Sequence, residues 1–237
     1  MFAKLFTRLN NIREIENKRN PAWLVPVCLF LIVMLGALMG FLAEYADYID
    51  YSPSRPYFFS TVIGREIGLA LSMIGKYFSL WIFTATLIAA YSKTPVRAGN
   101  YVCIFFLAMI GEYYSQKTQH YVFYSHQFFL WMAIAVFSLF AAMIIWYSRG
   151  KGWVSAVIAA APVSAIMAEL VYIMVFMSNP GTPPLFSLGK ALYYAALLLF
   201  ALLLIIALPK GKQQRVRTCL ISIVLCPVFY FVLRELL

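Results

Sequence analysis

Seven stretches of almost unbroken apolar residues divide the chain: Ala22–Leu42, Ile67–Tyr91, Ala98–Tyr114, Gln127–Tyr147, Trp153–Met177, Ser187–Leu208 and Val216–Glu235. A helix needs roughly 20 such residues to cross about 30 Å of hydrocarbon. The runs are continuous rather than alternating, so they predict helices and not the strands of a barrel. The third is the shortest and carries Glu112 near its end, which leaves six spans as the alternative count. The longest segment between runs is 43–66, and the other connections are short, so neighbouring helices should run antiparallel. The pattern predicts an all-α fold: residues 21–237 form a single integral membrane bundle of seven transmembrane helices.

Ahead of the first run, Phe2, Leu5, Phe6, Leu9 and Ile12 recur at helical spacing, with Lys4, Arg8 and Arg13 on other faces. Residues 1–20 therefore predict a short amphipathic, basic helix lying in the membrane interface. A cleaved signal peptide is not expected. The apolar run after Pro21 is too long for one, and no small-residue cleavage site follows it.

Composition agrees with a lipid solvent. Apolar residues make up 63% of the chain and charged residues 12%, against about 25% charged in a soluble domain. A 27.0 kDa globule has too little interior to hide that much apolar surface. Disorder is excluded on the same ground. A disulfide scaffold is excluded too, because Cys28, Cys103, Cys219 and Cys226 all sit in apolar stretches without CxxC spacing.

Charge predicts the orientation. Thirteen of the 19 basic residues fall on the N-terminal segment and on alternate connections, including Lys93, Arg97, Arg149, Lys151, Lys210, Lys212, Arg215 and Arg217. The positive-inside rule places that side, and with it the N-terminus, in the cytoplasm. The net charge of +10 then belongs to the inner face, where it suits anionic headgroups rather than nucleic acid.

Ionised groups inside the spans are costly, so each one is a candidate site residue. Four occur: Lys76, Glu112, Glu169 and Lys190. Lys76 and Glu169 lie at similar depth with opposite charge, and the expectation is that they meet inside the bundle. Glu112 and Lys190 would extend a polar line toward the outer mouth. Tyr113 and Tyr172 follow the two glutamates and complete a candidate ligand-binding set. Such a set suits a small zwitterionic or amphipathic molecule. The plainer account is an ion pair that fixes helix packing. Outer tyrosines recur with acids at Glu44–Tyr45, Asp47–Tyr48 and Asp50–Tyr51, a pattern that an interfacial aromatic belt also explains.

Small residues at four-residue spacing, Gly36 and Gly40 and then Gly64, Gly68 and Ser72, would let helices approach closely. Pro162 should free a carbonyl within the fifth span. His120 and His126 have no third ligand nearby, and no HExxH, GxSxG or GxxxxGK[ST] motif occurs. No catalytic residue, metal or cofactor is assigned.

The segments Ser92-Lys93-Thr94-Pro95-Val96-Arg97-Ala98-Gly99-Asn100, Phe105 to Tyr114 and Ile145 to Trp153 together resemble a group of small bacterial multi-pass membrane proteins of unknown function. The resemblance covers about 90 residues and implies a bacterial cytoplasmic membrane and a six- or seven-helix bundle. It implies no activity. Three classes of function follow: a permease-like or ligand-binding protein with an outward-opening polar cavity, a non-catalytic subunit or accessory protein of a membrane complex, and an intramembrane enzyme. Partners would be the bilayer, a small ligand and, for pumping, other membrane subunits or an ATPase.

Overall fold

The computed structural model describes residues 12–13, 24–51, 61–120, 125–176 and 187–236. All regular structure among the described residues is helical: Leu24–Tyr51 (α1), Val62–Lys76 (α2), Ser79–Tyr91 (α3), Pro95–His120 (α4), Ser125–Ile145 (α5), Gly152–Phe176 (α6), Leu188–Ala207 (α7) and Lys212–Leu236 (α8). A short 3-10 turn, Trp146–Arg149, follows α5. Five helices, α1, α5, α6, α7 and α8, are long and apolar enough to cross a membrane. A sixth candidate is the pair α2 and α3, bent by 52° at their junction. The run expected as one helix over Ile67–Tyr91 is thus two. The chain is a multi-pass membrane protein by this measure.

The 26 residues of α4 span about 39 Å at 1.5 Å per residue. Asn100, Glu112 and Gln116 interrupt the apolar residues of this helix, and it is not among the six candidates. The amphipathic helix expected over residues 1–20 lies outside the described residues except for Ile12 and Arg13.

Helix starts follow ordinary capping chemistry. Gly64 N donates to Thr61 Oγ1 at 3.0 Å at the head of α2, and Lys190 N to Ser187 Oγ at 3.3 Å at the head of α7. Arg97 N donates to Thr94 Oγ1 at 3.2 Å, and Pro95 opens α4 where its missing N–H costs nothing. α1 runs on to Tyr51, so Glu44, Asp47 and Asp50 do share one helix, as their spacing allowed.

The buried centre is α6. Its most apolar stretch is 67% buried, against 11% for α1, which faces mostly outward. Val163, Ile166, Leu170 and Ile173 pack on Tyr193, Leu197 and Leu204 of α7 and on Ala90 of α3. Along the α6–α8 seam, Ser164 Oγ donates to Ala160 O at 2.7 Å and Ser222 O at 3.2 Å, so the helix continues past Pro162 with a serine bonded beside it. α1 packs along α4 most extensively, and Gly36 and Gly40 are the reason. A Cβ at either would fall on a backbone oxygen of α4, Phe105 O or Met109 O.

One end of the bundle is tied together by Arg13. Its Nη1 donates to Ala90 O at 3.0 Å and also to Trp146 O, and its Nη2 to Ser92 O at 3.4 Å. The guanidinium lies 4.0 Å from the Trp146 ring centroid, and Trp146 Nε1 donates to Ser92 O at 2.7 Å. One cation thereby satisfies carbonyls at the C-terminal ends of both α3 and α5, where helix dipoles favour positive charge. Arg13→Ala is expected to lower stability by about 2 kcal/mol, and Arg13→Lys by less. Thermal unfolding in detergent checks both.

Candidate functional site

The site is built on the junction of α2 and α3. Helix α2 ends when Tyr77 turns to extended backbone (φ −89°, ψ 160°), after its N–H reaches Met73 O at 3.1 Å. Phe78 is back in the helical region (φ −71°, ψ −20°), and Ile82 N donates to Phe78 O at 2.8 Å to open α3. The first turn of α3 therefore presents free N–H groups within the bundle, and Phe78 at the cap position has no side-chain acceptor to offer. In a low-dielectric interior each such group costs several kcal/mol if left alone.

Helix α6 brings a carboxyl group to this point. Glu169 is 1% exposed, and its carboxyl lies near the backbone N–H groups of Phe78 and Ser79. Tyr193 of α7 donates its hydroxyl to Glu169 Oε1 at 2.6 Å. A carboxylate at a helix N-terminus meets both unpaired donors and the positive end of the helix dipole. With Arg13 at the far end, α3 meets a polar side chain from elsewhere in the chain at each terminus, Glu169 at its start and Arg13 at its end.

Three buried polar atoms around this junction make no hydrogen bond: Ser79 Oγ, Trp81 Nε1 and Tyr194 Oη. Ser79 Oγ is near enough to influence the Glu169 carboxylate, yet it lacks the geometry of a bond. Unsatisfied buried donors are uncommon and expensive, and they mark places where another polar group fits. Aromatic rings surround them. Tyr77 and Tyr193 lie 5.8 Å apart between centroids, and Phe78, Trp81 and Trp131 form a second cluster with separations of 5.7 to 6.0 Å.

The six residues singled out from sequence contact different neighbours. Lys76 ends α2 with an exposed side chain, whereas Glu169 is buried and accepts from Tyr193, with the start of α3 beside it. The partner differs because the helix stops there and turns its backbone, not the lysine, toward α6. Glu112 accepts from Gln116 Nε2 at 3.0 Å within its own helix and borders Gly40 of α1. Tyr113 packs edge-on to Tyr114 at 5.2 Å, on the side facing α5. Tyr172 packs on Tyr230 of α8 at 6.4 Å. Lys190 is buried in the first turn of α7 and feels the charge of Glu66.

Glu66 of α2, no candidate on sequence grounds, has a partner in the structure: Gly189 N donates to Glu66 Oε2 at 2.7 Å. A second glutamate thus caps a second helix across the bundle. Glycine is required at 189, since a Cβ there would fall on Glu66 O. The sequence signal for this contact was the Ser187-Leu188-Gly189 helix start, which needs an acceptor.

Among the described residues no three His, Cys, Asp or Glu side chains gather as a metal site. No protein-family model, no curated protein and no solved structure matches the chain.

Proposed function

We propose that this chain is a small permease-like, ligand-binding protein whose site is the junction of α2 and α3. The observation that supports this most is the broken second span with its α3 N-terminus set against the buried Glu169. Interrupted helices whose half-helix N-termini point at anionic groups are how many membrane transporters bind cargo, and backbone irregularity at membrane depth is tolerated where it lines a site or is buried in protein.

The chemistry suits a small zwitterion. Its carboxylate takes the N–H groups of Phe78 and Ser79 in place of Glu169, and its ammonium pairs with the displaced Glu169. Ser79 and Tyr194 supply hydroxyls, and the Tyr77 and Tyr193 rings offer faces to the cation. In this reading α4 is the seventh span, the Arg- and Lys-rich end faces the cytoplasm, and the protein resides in a bacterial cell membrane.

A second reading, a non-catalytic subunit, draws support from the completeness of the Glu169 contacts, which already serve helix capping. Titrating purified protein with a panel of small amines and amino acids separates the two. The transport reading expects at least one zwitterion to raise the melting temperature, with the effect lost in Glu169→Gln and weakened in Ser79→Ala. No response across the panel, with Glu169→Gln indistinguishable from wild type, favours the subunit.

A further inference from the structure

A cavity lies toward the C-terminal end of α3, away from its junction with α2 and beside the basic end. It encloses about 630 Å³ between α3, α7 and the turn into α8, a volume within the range of small-ligand sites. Phe83, Leu203 and Ile206 form its walls, and Leu203 and Ile206 are also open to the lipid-facing side. Arg149, Lys210 and Arg215 stand at its mouth, and no acidic residue lines it.

These three cations are poorly served by the protein. Arg149 lies 4.2 Å from the Tyr91 ring centroid, and its buried Nε has no hydrogen-bond partner. Arg215 reaches only the Ile206 carbonyl, at 3.3 Å. Lys210 is exposed. None of the three pairs with a carboxylate among the described residues. An apolar trough that opens sideways and ends in uncompensated positive charge matches a molecule with an acyl chain and an anionic head.

We infer that this groove binds an anionic phospholipid, with its phosphate at Arg149, Lys210 and Arg215 and an acyl chain against Phe83, Leu203 and Ile206. Basic pockets between spans at the cytoplasmic side take such headgroups. A free phosphate would use the cations but leave the apolar walls unserved, so the geometry favours the lipid. The site is separate from the α2–α3 junction, and its occupation does not depend on what that junction binds.

Native mass spectrometry of the protein in a neutral detergent tests this, with phosphatidylglycerol, phosphatidylcholine of the same chains and inorganic phosphate as probes. Phosphatidylglycerol should be retained and phosphatidylcholine should not. Removing cations should weaken retention about fivefold for each charge lost, in Lys210→Gln alone and more in Lys210→Gln with Arg215→Gln. Lys210 makes no protein contact of its own among the described residues, so the single variant keeps the fold. Lys151→Gln with Arg97→Gln, basic residues outside the groove, should retain lipid as wild type does. Equal weakening in the two double variants would reduce the effect to diffuse surface charge. Equal retention of both lipids, or inorganic phosphate binding as tightly as phosphatidylglycerol, would overturn the assignment.

Discussion

Glu169→Ala is expected to destabilise the bundle by about 3 kcal/mol or more. The change strands the Tyr193 hydroxyl, which donates to Glu169 Oε1 at 2.6 Å, and takes the carboxyl away from the N–H groups that open α3; each buried donor left without a partner costs about 1–3 kcal/mol. Glu169→Gln keeps an acceptor oxygen and nearly the same volume, so it should cost much less. Tyr193→Phe removes a single bond and should fall between wild type and Glu169→Ala. Unfolding of the three variants in detergent gives the order directly. Equal stabilities would mean that the first turn of α3 finds acceptors elsewhere.

The next largest effect is expected at the contact of α1 with α4. A methyl group at Gly36 or Gly40 would meet a backbone oxygen first and then the Cβ of Ala108 or Glu112, none of which can rotate away as the end of a flexible side chain can. Gly40→Ala should therefore cost about 1–3 kcal/mol through forced separation of the helices, and Gly40→Leu should prevent the protein from accumulating. Gly111 on α4 is the control, since nothing lies within 4 Å of a Cβ there. Gly111→Ala should be neutral or stabilising by about 0.5–1 kcal/mol. Membrane yield and melting temperature read both. A loss at Gly111 as large as at Gly40 would show that helix propensity or lipid contact, not close approach, sets the cost.

The helices themselves were readable because apolar runs report on the solvent around them, and each predicted run contains a helix in the structure. Pairing by small residues was readable for Gly36 and Gly40, since four-residue spacing on one face needs no knowledge of the partner. The junction at Tyr77 and Phe78 was not. It contains no proline, and its sequence, Gly75-Lys76-Tyr77-Phe78-Ser79, stays apolar enough to read as continuous span. In hindsight a basic residue followed by an interruption is a helix C-terminus signal, and Lys76 closes α2. Its charge suggests a partner for Glu169, whereas the structure sets Glu169 against Tyr193 and the start of α3, and a helix start is something no side-chain inventory displays. Glu66 escaped notice for the same reason. Arg13 lay within a segment whose apolar positions suggested an interface, and its long-range contacts to Ala90, Ser92 and Trp146 leave no local pattern.

The most direct test of the capped break is the amide resonance of Phe78 and Ser79, recorded by NMR on labelled protein in micelles. Wild-type protein should show both amide protons shifted toward the strongly hydrogen-bonded range. In Glu169→Ala both should move back, while the Gly189 amide at Glu66 stays in place. Unchanged Phe78 and Ser79 resonances in that variant would contradict the assignment of Glu169 as the acceptor that holds α3.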